Sequence, residues 1–145
     1  MKLSTKGRYA LRMMTDIAEN QGNGYVALKD IAARQEISKK YLEQIALHLS
    51  QCGMLRAVRG YQGGYMLARP EENYTVSEIL IAVEGSLAPV TCLETPGMNP
   101  CPRQAQCLTL PLWQGLGRLI DEYFSGITLK DVVDRKIPEM TLTRK

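Results

Sequence analysis

The sequence predicts a mainly α protein built on a winged helix-turn-helix with a small β-hairpin wing. Three observations carry that expectation. Three short amphipathic segments occupy residues 4–53, and only "QEIS" links the second to the third. A basic, glycine-rich hairpin, "LRAVRGYQGGYMLARP", follows at residues 55–70. Residues 1–69 hold eleven Lys/Arg against five Asp/Glu, whereas residues 70–145 hold seven against ten. A basic half joined to a mildly acidic half either faces a polyanion or is simply a solvated face.

The 145 residues amount to one ordinary domain, or a small domain with an added arm. At 45% hydrophobic and 23% charged, the composition is that of a folded chain, not a disordered one. No run approaches the ~20 apolar residues of a membrane span. The N-terminal stretch is basic but lacks the apolar core of a secretion signal, so a cytoplasmic address is expected. In that compartment thiols stay reduced and structural disulfides are not expected.

The elements follow in order. Ser4 or Thr5 can cap a first helix, in which Ala10, Met13, Met14, Ile17 and Ala18 recur at helical spacing. "NQGNG" at 20–24 breaks it. Leu28, Ile31 and Ala32 mark a short second helix. Ser38 opens a third, whose apolar stripe is Leu42, Ile45, Ala46 and Leu49, and Gly53 stops it. Strand-like runs at Leu55–Val58 and Tyr65–Ala68 flank "RGYQGG", where Gly60, Gly63 and Gly64 allow positive φ. A division at residue 70 follows: a winged helix-turn-helix unit at 1–70, and a cysteine loop with helices at 71–145. Thr75 and Glu78 form a capping box. Pro111 lies in the first turn of a long helix ending near Ser125, and Thr128 caps a last short one. The long helix carries a wide stripe of Leu112, Leu116, Leu119, Ile120, Tyr123 and Phe124. That is more apolar surface than one thin layer of core requires.

A helix that enters a major groove exposes small or polar side chains, with cations where it meets phosphate. Ser38, Lys39, Lys40 and Tyr41 supply these at the N-terminal end of the third helix, where backbone N–H groups also point outward. Gln44, one to two turns on, suits adenine. Arg59, beside Gly60 at the wing tip, suits a narrow minor groove.

Four cysteines are present, three of them in "CLETPGMNPCPRQAQC". Cys92, Cys101 and Cys107 exceed one disulfide and fall one short of a four-cysteine metal site. They suit an iron–sulfur cluster with a different fourth ligand, or zinc, or a loop of free thiols. Cys52, near the end of the third helix, is expected to pack. An enzyme is not expected: the chain has no C-x-x-C, no phosphate loop and only one histidine, His48.

"MKLSTKGRYALRMM", "ISKKYLEQI" and "VRGYQGGYML" resemble the Rrf-type family of bacterial winged-helix transcription regulators. The three cysteines followed by "LTLPLW" resemble its iron–sulfur branch. The resemblance spans about residues 1–135. It implies a homodimer joined through the long C-terminal helix, with the third helix in a major groove and the wing in the adjacent minor groove. It assigns DNA contacts to Lys2, Ser38, Lys40, Tyr41, Gln44 and Arg59, and operator discrimination to Glu43. It implies a cluster, 2Fe–2S by preference, on Cys92, Cys101 and Cys107.

The sequence departs from the branch at the fourth ligand. One member places a histidine three residues after the third cysteine, where this chain has Leu110. Another uses an acidic residue near the partner's N-terminus, where this chain has Arg8. Glu94, a backbone atom, an external thiol or water remain as candidates. The competing expectation is a family repressor that senses a small ligand or a partner protein without a cluster.

Overall fold

The hydroxyl of Ser4 accepts the Gly7 N–H at 3.0 Å and so starts helix α1 (Thr5–Asn20). In this computed structural model, which describes residues 2–22, 24–95, 97 and 101–143, α1 is the central strut. Its Ala10, Met13, Met14 and Ile17 are fully buried, the i, i+3, i+4, i+7 stripe of an amphipathic helix. Helix α2 (Leu28–Gln35) ends at Glu36, which adopts left-handed φ 53°. Helix α3 (Lys39–Gln51) begins after Ser38, whose Oγ accepts the Tyr41 N–H at 3.1 Å. The tight turn between them is held by Ile37, buried at its centre.

A buried carboxylate fastens α1 to α2. Asp16 is 1% exposed, and Arg34 donates to both its oxygens, at 2.7 Å from Nη2 and 3.0 Å from Nε. Gln35 adds a third donor at 2.9 Å. Arg12 in turn holds Gln35 through its side chain and its carbonyl. A buried charge persists only when paired and hydrogen-bonded, and the clamp meets both conditions.

Helix α3 ends in a left-handed Gly53, with the Met54 N–H donating to the Leu49 carbonyl at 2.9 Å. Cys52 is exposed instead of packed. The chain leaves helical geometry at that residue, so Cys52 no longer follows the Leu42–Leu49 stripe. The wing is an antiparallel pair, β1 (Leu55–Val58) with β2 (Gly64–Leu67), in register Leu55↔Leu67 through Val58↔Gly64. The second strand begins one residue before the expected start. Gly64 explains the shift: a Cβ there would overlap the Val26 carbonyl, and its absence lets Tyr65 and Val26 exchange hydrogen bonds at 2.8 and 2.9 Å.

Helix α4 (Val76–Glu84) starts with the expected Thr75–Glu78 capping box. Helix α5 (Leu110–Ser125) has Pro111 in its first turn, and α6 (Leu129–Val133) starts with a second box, Thr128–Asp131. Helix α6 folds back on the entrance to α4. The Val76 N–H donates to the Ile127 carbonyl at 2.9 Å, and the Leu129 N–H to the Tyr74 carbonyl at 3.0 Å. Tyr74, Ile79 and Leu129 therefore share one buried cluster with α1, α3 and the wing base. Among the described residues no helix is long and apolar enough to cross a membrane.

Tyr74 is fully buried, and its hydroxyl is saturated. It donates to the Met54 carbonyl at 2.6 Å and accepts the N–H groups of Ala68 and Arg69 at 3.0 and 3.2 Å. The Arg69 guanidinium stacks 4.2 Å from the ring centroid. Tyr74→Phe removes all three bonds; the Ala68 N–H and the Met54 carbonyl keep each other at 3.3 Å, but the Arg69 N–H loses the hydroxyl it donated to. The substitution should lower unfolding free energy by about 1–3 kcal/mol, read by urea denaturation.

The two capping carboxyls give a pH dependence. Glu78 is held below the ordinary glutamate value, chiefly by the Thr75 backbone N–H and also by Arg69. Asp131 is held below the ordinary aspartate value by the Thr128 backbone N–H and hydroxyl. Each stabilises the fold above its unfolded-state pKa. The contribution is lost as pH falls through the lower folded value. Melting temperature should drop over that acidic window, and the Glu78→Gln, Asp131→Asn double variant should show a shallower drop.

Candidate nucleic-acid interface and cysteine loop

The stripe of Leu42, Ile45, Ala46 and Leu49 buries one side of α3. Its opposite side therefore exposes Lys39, Lys40, Glu43 and Gln44, while Ser38 is exposed at the cap. The first turn carries no acid, so both lysines add to the positive end of the helix dipole. Tyr41 is different. It is half-buried, with its ring edge-on to Tyr9 at 5.6 Å, and Arg12 lies 5.2 Å from the Tyr9 ring centroid. Much of its surface holds α3 onto α1.

A cleft of about 670 Å³ separates α3 from the wing. Lys39 and Glu43 line one wall, and Arg59, Gly60 and Tyr61 line the other. Four of the sequence-predicted residues thus converge on one cleft, although Lys39 and Arg59 are twenty residues apart in the chain. Ser38, Lys40, Tyr41 and Gln44 lie outside its lining. Lys2 lines a separate cleft with Glu84 and Glu94. Sequence reading missed Lys29, which faces the α3–wing cleft from the start of α2. Its only signal was a cation in the first turn of a helix, too common a feature to single out.

The interface is tied to the rest of the molecule at two points. The ring Nε2 of His48 pairs with the Ala82 carbonyl, joining α3 to α4. Glu84, at the end of α4, accepts the backbone N–H of Ser4 at 2.9 Å and its hydroxyl at 2.5 Å. Gly7 makes this possible, because a Cβ there would overlap the Glu84 carboxylate.

The segment between α4 and α5 carries the three thiols. Cys92 sits in a 3-10 turn (Thr91–Leu93) and is exposed, as is Cys101. Cys107 follows a second 3-10 turn (Gln104–Gln106) and is half-exposed. The Thr109 hydroxyl lies 3.4 Å from its sulfur. That hydroxyl, then the N–H groups of Thr109 and Leu110 at the start of α5, then Arg103, hold the Cys107 thiol below the ordinary cysteine value. Among the described residues no group of three or more His, Cys, Asp and Glu side chains is gathered closely enough to hold a metal ion. The spacer positions Pro96, Met98, Asn99 and Pro100 lie outside the described residues. By chemistry the donor set fits an iron–sulfur cluster: three soft, accessible thiols on one loop, one of them held below the ordinary cysteine value. Leu110 is the first residue of α5, and Arg8 donates to Thr5 within α1, so neither offers a fourth ligand.

Helix α5 has no buried residue along its sixteen positions. Leu112 is 62% exposed, and Leu116, Leu119 and Tyr123 are close to 38%. They form one face, with a shallow groove of about 600 Å³ along Leu112, Gly115, Leu116 and Leu119.

A helix-turn-helix with a cationic exposed face, braced against an arginine-bearing wing, defines a winged-helix DNA-binding transcription regulator and not an enzyme. The chain belongs to the Rrf2 family, described as iron-dependent transcriptional regulators, whose model matches residues 3–135. It is 40% identical over 139 residues to the HTH-type transcriptional regulator IscR of Cereibacter sphaeroides, covering 94% of this chain and 90% of that one. Its fold matches T. potens IscR with a TM-score of 0.72 at 34% identity, covering 99% of this chain and 94% of that one. It also matches CymR, the global cysteine regulator of B. subtilis, with a TM-score of 0.75 at 32% identity, covering 93% and 98%.

DNA affinity should fall steeply with salt, because each neutralised phosphate releases counterions. Arg59→Ala and Lys39→Ala should each weaken binding by about 1–3 kcal/mol and make the slope of log K against log [salt] shallower by about one. Fluorescence anisotropy at several salt concentrations checks both.

Proposed function

We propose that this chain is a cytoplasmic homodimer whose affinity for double-stranded operator DNA is modulated by an iron–sulfur cluster, of the 2Fe–2S type, on Cys92, Cys101 and Cys107. Residues 1–70 serve as the DNA-binding unit, and 71–145 as the cysteine loop and dimer seam. Ser38, Lys39, Lys40, Tyr41, Glu43 and Gln44 meet the major groove, Arg59 and Gly60 the minor groove, and Lys2 a phosphate. One observation carries the reading. The three thiols lie on the segment that runs straight into α5, the helix whose Leu112, Leu116, Leu119 and Tyr123 stay exposed among the described residues. The similarity to two IscR proteins supports it.

The bound cluster would supply one-electron redox chemistry and sensitivity to oxidants. Three thiolates leave one iron position to a donor other than cysteine. The chain's own residues do the rest. Cys107 abuts the first turn of α5, so closing the loop reorients the start of the dimer seam. Glu84 and His48 then connect α4, at the other end of the loop, to α1 and α3. The helices on both sides have their own caps and apolar stripes, so the fold does not need the cluster to form. A switch of this kind requires different affinities in the two states, with typical couplings of about 1–3 kcal/mol.

A second reading, a ligand- or partner-sensing regulator without a cluster, draws on the scattered positions of the thiols among the described residues. Anaerobic purification separates the two. Cys92→Ala, Cys101→Ala and Cys107→Ala should each lose visible absorbance, bound iron and sulfide, yet keep helical circular dichroism and dimer mass. At least one operator class should then bind with altered affinity. Colourless, iron-free wild-type protein with operator binding equal to that of the variants would establish the second reading.

The seam has its own test. Leu116→Asp or Leu119→Asp places an unpaired charge in an apolar contact, which costs several kcal/mol. Sedimentation should find monomer or insoluble protein. Two heads related by a two-fold axis should occupy half-sites about one helical turn, ~34 Å, apart, as footprinting would measure.

A further inference from the structure

Tyr61 is fully exposed, a large aromatic at the tip of the hairpin and absent from every apolar cluster of the fold. It contributes nothing to packing, and yet its setting is rigid. Gly60 takes φ 117°, the Gly63 N–H donates to the Gly60 carbonyl at 3.0 Å, and a Cβ on Gly63 would overlap the Val58 carbonyl. The strands beneath are held by Val26 on one side and by the Tyr74 hydroxyl at the base. The ring also stands on a ridge. It lines the cleft shared with Lys39 and Arg59, and a second cleft of about 470 Å³ shared with Lys29 and Arg34. A neutral, flat side chain on a held backbone thus stands between two clefts, one lined by Lys39, Glu43 and Arg59 and the other by Lys29, Asp30 and Arg34, and a wing aimed at DNA carries it forward beside Arg59.

We propose that Tyr61 is a specificity-determining residue that enters the minor groove with Arg59 and reads A·T against G·C by shape. The groove is about 6 Å wide, and at G·C pairs the guanine amino group projects from its floor. A ring lying edge-in between the sugar walls has room over A·T pairs and collides with that amino group over G·C. The guanidinium of Arg59 favours the same narrow, electronegative groove through charge, so the two side chains select it by different physics. This inference rests on the proposed placement of the wing in the minor groove.

The test uses the full-length protein and a duplex selected from a randomised library by the unmodified chain. Hydroxyl-radical footprinting locates the base pairs beneath the wing. Those pairs are then changed to G·C and to inosine·C, which keeps the major-groove face of G·C but lacks the amino group. The unmodified protein should lose on the order of tenfold in affinity on G·C and regain most of it on inosine·C. Tyr61→Ala should bind the selected duplex more weakly, shrink the inosine·C-to-G·C ratio several-fold, and leave the salt slope unchanged because a phenol neutralises no phosphate. Tyr61→Phe should behave as the unmodified protein. If Arg59→Ala weakens binding while Tyr61→Ala keeps the original affinity and ratio, Tyr61 has no such role and the wing placement stands. A ratio unchanged despite weaker Tyr61→Ala binding also overturns the proposal. If neither substitution alters binding, the wing is off the DNA and both readings fall together.

Discussion

The position of the wing depends on one buried hydroxyl. Two four-residue strands cannot hold a hairpin in place alone, since an isolated pair is marginal in water. Tyr74 solves this from outside the sheet. Its oxygen has one hydrogen and two lone pairs, and all three are engaged by backbone groups at the two feet of the hairpin. Its own carbonyl receives the N–H of Leu129, so the same residue ties the wing to α6 and to the entrance of α4. The ring sits in the core shared by α1 and α3. Together with Val26 and Gln21, which bond Tyr65 and Leu67, Tyr74 fixes the wing that carries Arg59 against the core on which α3 packs.

A parallel constraint sets the recognition helix. Asp16 is an acid in the middle of the apolar face of α1, tolerable only because Arg34 and Gln35 saturate it. The clamp fixes α2 against α1, and the three-residue turn through left-handed Glu36 then leaves α3 little freedom. Tyr9 and Tyr41 close the remaining side. The exposed cations of α3 thus stand on a helix positioned from beneath, by the buried Asp16 and the partly exposed Arg34 that pairs with it.

The cysteine segment and α5 have the opposite character. The thiols are exposed or half-exposed, the described residues of their loop form two short 3-10 turns, and α5 buries none of its residues. Little apolar burial resists rearrangement there, which is where a switch must be placed. Polar links back to residues 1–70 include the Ser4–Glu84 cap bonds and the His48–Ala82 bond, beside the buried cluster that Tyr74, Ile79 and Leu129 share with α1 and α3.

The fold class, the helix order, the Thr75–Glu78 capping box, the Thr128 cap and the Gly53 stop were legible in the sequence, because each depends on local spacing or on one residue's backbone preference. The cationic face of α3 was legible for the same reason: its apolar stripe dictates what lies opposite. The local pattern failed at Cys52, where the helix ended and the periodicity no longer applied, and at the one-residue start of β2, which Val26 imposes from a distant segment. The roles of Asp16, Tyr74, His48 and Lys29 were not legible at all. Asp16 acts through Arg34, 18 residues away, Tyr74 through Met54, 20 away, and His48 through Ala82, 34 away, and a buried acid or tyrosine looks like any other until its partners are known. Local chemistry chose the elements. The need to satisfy every buried polar group decided how they are joined, and only the folded chain reveals that accounting.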